Sequence, residues 1–190
     1  MLTAIPRIVA PDVQRVLVPQ PITAEAFAPY GELVGARGEL LMINGGTTKR
    51  YHRQVVTETG PEELSGKAII SLFRAQARTL PMKIEMLERH PLGSQAFLPA
   101  DPSPYLVLVA TRDDQPDMNS LALFLVAGEG VNYRAGCWHY PLLSLNPAGE
   151  ERDFWVVDRS GKGHNCDEFF FPDDWDISIT LPTDSMGPEA

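Results

Sequence analysis

Proline decides most of what this chain can fold into. It occupies 17 of 190 positions, about 9 % against a usual value of roughly 5 %. The prolines fall at nearly regular intervals and leave no long stretch free for helix. The one credible helix start comes early. Thr23 can cap residues 24–28, but Pro29 and Gly31 end the segment after about a turn and a half. Almost everything else reads as short strands. Residues 50–58 (RYHRQVVTE), 68–75 (AIISLFRA) and 82–87 (MKIEML) carry β-branched or alternating apolar positions. Residues 105–111 (YLVLVAT) and 121–126 (LALFLV) are continuous apolar runs suited to strands covered on both faces. Residues 138–145, 153–158 and 177–181 complete the set. Gly45-Gly46, Gly60-Pro61, Pro91-Leu92-Gly93, Asp113-Asp114-Gln115-Pro116 and Pro147-Ala148-Gly149 are among the turn signals between them. Many strands at even spacing without intervening helices point to an all-β closed barrel or jelly roll, with one or two short helices.

A hydrophobic fraction of 44 % is enough for a substantial core, and 190 residues suit one domain, 1–190. Residues 1–20 read as an N-terminal extension, and the polar, turn-rich 182–190 as a mobile tail. Net charge is −9, which disfavours nucleic acid and anionic membrane as partners, because both demand clustered Lys and Arg. The longest apolar runs, 106–110 and 121–127, are too short to cross a bilayer as helices. The opening Met1-Leu2-Thr3-Ala4-Ile5-Pro6 lacks a basic segment followed by an apolar one, so no secretory signal is expected. Two cysteines, Cys137 and Cys166, do not make a disulfide scaffold and suit a reducing cytoplasm.

Ionisable groups on otherwise apolar strands mark the candidate site. Alternation puts Glu88 and His90 on one face and Arg89 on the other. A hairpin turn over 91–94 would bring Gln95 back beside them, and Gly136-Cys137-Trp138-His139 opens a distant strand with another histidine. Each group also has an ordinary structural role open to it. The histidines can be core residues bonded to backbone, Glu88 can pair with a rim arginine, and Gln95 can cap its turn. Arg50 and His52 share a face, and Arg74 on the next strand could join them as a carboxylate clamp or as a plain polar surface. Cys137 and His139 also share a face, although a small buried thiol is the simpler reading of Cys137. His164 falls in a glycine-rich loop and reads as solvated. Phe169-Phe170-Phe171 with Trp175 reads as core or a subunit contact.

Glu88-x-His90-x4-Gln95, followed by Gly136-x-x-His139, resembles the two metal-site motifs of cupins. It departs from them in a glutamate for the first histidine, a glutamine for the carboxylate, and Arg134 where the second motif has proline. A narrower resemblance is stronger. LERHPLGSQAFLP (87–99), GVNYRAGCW (130–138) with His139 and Pro141, and Asp158-Arg159 with Asn165-Cys166-Asp167 resemble the signature stretches of ureidoglycolate lyases. Asn44-Gly45-Gly46 with Arg50-Tyr51-His52, and Arg74-Ala75-Gln76 before Leu80-Pro81, match in order and spacing. The similarity runs from about Phe27 to Asp167.

The resemblance implies a cytoplasmic, homodimeric carbon–nitrogen lyase of cupin-like double-stranded β-helix fold. Its reaction would be cleavage of (S)-ureidoglycolate to glyoxylate and urea late in allantoin and purine catabolism. Catalytic residues would be Glu88, His90, Gln95 and His139, the same four holding any divalent metal, with nickel suggested by the family. Arg50, His52, Arg74 and Tyr133 would bind substrate. Without a metal, Glu88 or a histidine serves as base and a nearby cation steadies the alkoxide. A metal-dependent amidohydrolase of the same substrate and a non-catalytic cupin binding a small carboxylic acid are the alternatives.

Overall fold

The structure is a computed structural model that describes residues 13–182. Residues 1–12 of the expected extension lie outside the described residues, as does the expected tail apart from Pro182. The described chain opens with β1 (Gln14–Leu17), β2 (Gln20–Pro21), the helix α1 (Ala24–Phe27), β3 (Gly31–Val34), β4 (Leu40–Ile43) and β5 (Thr48–Tyr51). It continues as β6 (Lys67–Gln76), β7 (Met82–Lys83), β8 (Met86–Arg89), β9 (Gln95–Pro99), β10 (Tyr105–Ala110) and β11 (Ala122–Val126). It finishes with β12 (Gly130–Tyr133), β13 (Trp138–His139), β14 (Leu143–Ser144), β15 (Glu151–Ser160), β16 (Asp167–Phe170) and β17 (Asp176–Ile179).

The all-β architecture expected from the proline spacing is present. One sheet runs β16-β8-β13-β10-β11-β2, with β14 also on β10, and a second runs β3-β12-β9-β15-β6. A three-stranded sheet, β1-β17-β7, and the β4–β5 ribbon complete it. Pairing is antiparallel except for β1 with β17 and β2 with β11. Among the described strands no ladder joins the two large sheets, so this is an open jelly-roll sandwich and not a closed barrel.

The continuous apolar run of β10 has the double coverage its composition demands. Tyr105, Val107 and Val109 enter the core between the two large sheets with Phe97, Phe124, Phe154 and Val156. The alternate residues Leu106, Leu108 and Ala110 pack on the other face with Leu87, Trp138, Ile177 and Ile179. The short helix forms as capped, with the Thr23 hydroxyl accepting from the Ala26 amide at 3.1 Å. It drives Phe27 into the first core, edge-on to Phe124 at 5.9 Å, a burial worth about 1.5–3 kcal/mol.

One expectation is corrected here. Residues 91–94 do not make a hairpin, because β8 already has β13 and β16 on its two edges and β9 has β12 and β15. The turn carries the chain from one large sheet to the other. It does so beside Arg159, whose side chain donates to Thr59 O at 2.7 Å, Lys162 O at 2.7 Å and Leu64 O at 3.5 Å. A Cβ on Gly93 would stand 2.6 Å from Arg159 Cβ, so only glycine fits this crossing. Arg159→Met would leave these carbonyls without their donor. It should lower unfolding stability by at least ~2 kcal/mol, read from the urea midpoint. Arg74→Met, which removes only an exposed ion pair, should move that midpoint little.

Candidate metal and active site

Residues directly opposite in an antiparallel pair share a face. Val109 on β10 pairs with His139 on β13, and His139 pairs with Glu88 on β8. Since Val109 faces the core between the sheets, so do His139 and Glu88. His90, two residues on from Glu88, keeps that face by alternation. One ligand atom each from Glu88, His90 and His139 lies within 4.8 Å of the others. The His90 and His139 rings are 5.3 Å apart.

The tautomer of each histidine follows from its partner. His90 Nδ1 is 2.7 Å from Asn165 O, and His139 Nδ1 is 3.0 Å from Cys137 O. A carbonyl only accepts, so each Nδ1 carries the proton and each Nε2 presents a lone pair. Both Nε2 atoms are buried without a hydrogen-bond partner. His139 Nε2 lies 3.5 Å from Glu88 Oε1, an electrostatic contact without hydrogen-bond geometry. Burial and the neighbouring His139 hold His90 below 6.5, which outweighs its bond to Asn165 and the nearby Glu88 and Asp158.

Two buried imidazole Nε2 lone pairs beside a carboxylate fit a divalent cation. Backbone bonds that fix the far nitrogens are the usual outer support of metal-ligating histidines. Gln95 Oε1 is likewise buried and unpartnered. Gln95 pairs with Tyr133, whose ring stacks on His139 at 4.4 Å and 19°. Tyr133 therefore holds the orientation of His139, and burial keeps its hydroxyl protonated, with its pKa raised well above 10. His90, Ser94, Gln95, Asp158 and Asn165 line one cavity of about 410 Å³.

Within one chain the residues of the expected carboxylate clamp fall on different sheets. The His52 amide donates to Glu39 O at 2.9 Å, the next rung of the β4–β5 ladder after Leu40 and Tyr51, so His52 keeps the face of Arg50 by alternation. Arg50 is exposed on β5, which among the described strands pairs only with β4. Arg74 lies on β6, which among the described strands pairs only with β15, and its guanidinium holds Asp153 through bonds of 2.8 and 3.0 Å. His52 lines a separate, larger cavity of about 670 Å³, which none of the cluster residues lines. Two arginines there are already paired, Arg37 with Glu129 and Arg134 with Glu32. Arg89 faces away from the cluster as expected, stacked over Trp138 and bonded to Asp167. Cys137 is buried in the core, and burial pushes its thiol up to about 12, which removes it as a nucleophile. His164 is exposed and paired with Asp167 at 2.9 Å. Phe169 and Phe171 pack in the second core with Trp175, while Phe170 is exposed.

Sequence reasoning assigned no role to Asp158 or Asn165. Asn165 meets His90 through its backbone carbonyl, while its side-chain oxygen accepts from the Leu92 amide at 2.8 Å. Asp158 had one: residues 154, 156 and 158 alternate onto the core face of β15. Its Oδ1 is buried without a partner, and burial pushes its carboxyl up from 3.8, against the effect of His90.

The fold and cluster together define a class, an all-β jelly roll with a histidine–histidine–carboxylate site of metal-binding type. Comparison narrows it. The ureidoglycolate lyase family model matches residues 14–178, wider than the stretch legible in the motifs. Among relatives, the ureidoglycolate lyase of Stutzerimonas stutzeri is 49 % identical over 168 residues, covering 87 % of this chain and 95 % of that one. Those of Pseudomonas fluorescens and Pseudomonas paraeruginosa are 47 % and 48 % identical over 162 residues. That is 84 % of this chain and 94 % and 93 % of theirs. The chain belongs to the ureidoglycolate lyase family.

The electrostatics give a sign for pH. Folding lowers the pKa of His90, so the folded state binds fewer protons than the unfolded one as pH falls. In chelator, stability should be full above pH 6.5 and fall as pH drops through the lowered His90 value. His90→Gln should remove that loss, as read by urea unfolding across the range.

Proposed function

We propose that this chain is a ureidoglycolate lyase that cleaves the C–N bond of ureidoglycolate to give glyoxylate and urea. The observation that carries this reading is the pair of buried, unpartnered Nε2 atoms beside Glu88, in a chain of this family. Their donor set and backbone support favour a divalent cation held by His90, His139 and Glu88. Nickel is the family expectation, and the nitrogen and oxygen donors are equally suited to manganese, iron or zinc.

The reaction requires the substrate hydroxyl to lose a proton as the carbonyl forms and the leaving urea nitrogen to gain one. When bound, the cation supplies charge that holds the α-hydroxycarboxylate and acidifies its hydroxyl. The cluster itself presents only acceptors, because both Nδ1–H groups are spent on carbonyls. Glu88 is the member with two oxygens. It can keep a contact through one and take the hydroxyl proton on the other, then return that proton to the leaving nitrogen. Tyr133 keeps the His139 ring in place during this exchange. The substrate carboxylate is assigned to the cluster and not to an arginine of the same chain, because the guanidinium lining the cavity, Arg159, is bound to carbonyls.

This reading extends to assembly and location. The free edge and faces of β6 expose Ile70 and Leu72 beside Trp155, with relative exposures of 73, 47 and 51 %, which supports a homodimer. Both cysteines are free, which supports a cytoplasmic enzyme of allantoin catabolism. No helix among the described residues is long and apolar enough to cross a membrane.

Incubation with racemic ureidoglycolate should release glyoxylate and urea one to one, with ammonia release instead supporting the amidohydrolase. His139→Ala and Glu88→Gln should lower kcat by ~100-fold or more in folded protein. Chelator should abolish turnover and a divalent cation restore it, measured by following both products.

A further inference from the structure

We propose that Gln95 and Asp158 form a subsite that accepts hydrogen bonds from the ureido group of the substrate; this rests on the lyase reading. The register places them together. Val156 pairs with Phe97 and Val157 with Ala96, so Asp158 and Gln95 face each other one rung further on. They share the core face of Phe97 and Val156. Tyr133 is on the other side of Gln95, and its ring lies on His139. The row Tyr133, Gln95, Asp158 therefore leads from the cluster along the opposite sheet, and the cavity beside His90 opens on it.

Chemistry selects the ligand. Gln95 Oε1 and Asp158 Oδ1 are both buried and both lack a donor. Two buried acceptors without donors are costly unless a ligand supplies N–H groups. A monosubstituted urea does so. Its –NH–CO–NH2 plane directs two parallel N–H bonds the same way, matching the two oxygens of a carboxylate, and a third N–H remains for an amide oxygen. A carboxylate or ester end would instead set acceptors against acceptors. The substrate is thereby oriented, with its hydroxyl and carboxylate at the histidines and its ureido plane on β9 and β15. Gln95 acts here as a specificity contact and not as a fourth ligand.

The test separates the two ends of the substrate by product inhibition. Wild-type enzyme is first shown to release urea and glyoxylate. Inhibition constants for urea and for glyoxylate are then measured on wild type, Asp158→Asn and Gln95→Met, each checked for a cooperative thermal transition. The subsite requires urea to weaken about tenfold or more while glyoxylate stays within about twofold. Should Asp158→Asn fail to fold, Gln95→Met decides alone. Urea unchanged, or both products weakened equally, overturns the subsite and leaves the lyase reading standing. Wild-type enzyme that releases no urea overturns both.

Discussion

Five residues, 90–94, must carry the chain from one sheet to the other, and the site depends on that crossing. Between β8 and β9 three backbone groups are engaged by distant segments. His90 O accepts from Gly136 N at 2.8 Å, Leu92 N donates to Asn165 Oδ1 at 2.8 Å, and Ser94 N donates to Glu58 O at 3.1 Å. Ser94 Oγ accepts from Glu58 N at 2.9 Å. Gly93 lets the turn lie against Arg159, which in turn gathers the carbonyls of the 59–64 and 160–162 loops. The cavity wall is thus built from loops that are far apart in sequence and fastened to one short turn. The close packing that holds His90 rigid is also what permits no side chain at position 93.

Burial then gives the cluster its chemical character. In water a histidine is free to protonate either nitrogen. Here carbonyl partners hold the proton on Nδ1 of both rings, and their buried Nε2 lone pairs lie beside Glu88. Burial lowers the His90 pKa, which keeps that ring in the form that can act as an acceptor. The result is a patch of unpartnered acceptors inside a protein, an arrangement that costs free energy unless something positive or N–H-bearing occupies it.

The ten residues of β6 show how the same fold leaves work for a second surface. This strand pairs with β15 along its whole length and has nothing on its other edge among the described residues. Its sequence is nevertheless apolar, and Phe73 reaches inward to Phe97 at 5.9 Å while Ile70 and Leu72 stand outward beside Trp155. A long, apolar, unpaired edge is a liability for an isolated chain.

What the sequence determined by itself was whatever depends on neighbours along the chain. Proline spacing forbade long helices, the β10 run announced a strand buried on both faces, and Thr23 announced the helix start. Alternation placed Glu88 and His90 together and Arg89 opposite, because side-chain direction along a strand has period two. Family motifs tied the distant His139 to the 88–95 segment. Tertiary structure decided everything that depends on which strand edges are free. Occupied edges turned the expected 91–94 hairpin into a crossing, and Arg50 and Arg74 were placed in different sheets. Register, set only when sheets assemble, put Asp158 beside Gln95 and Tyr133 on His139. The histidine tautomers were also outside the reach of sequence. They are fixed by the backbone carbonyls of Asn165 and Cys137, and a carbonyl has no side-chain letter to read.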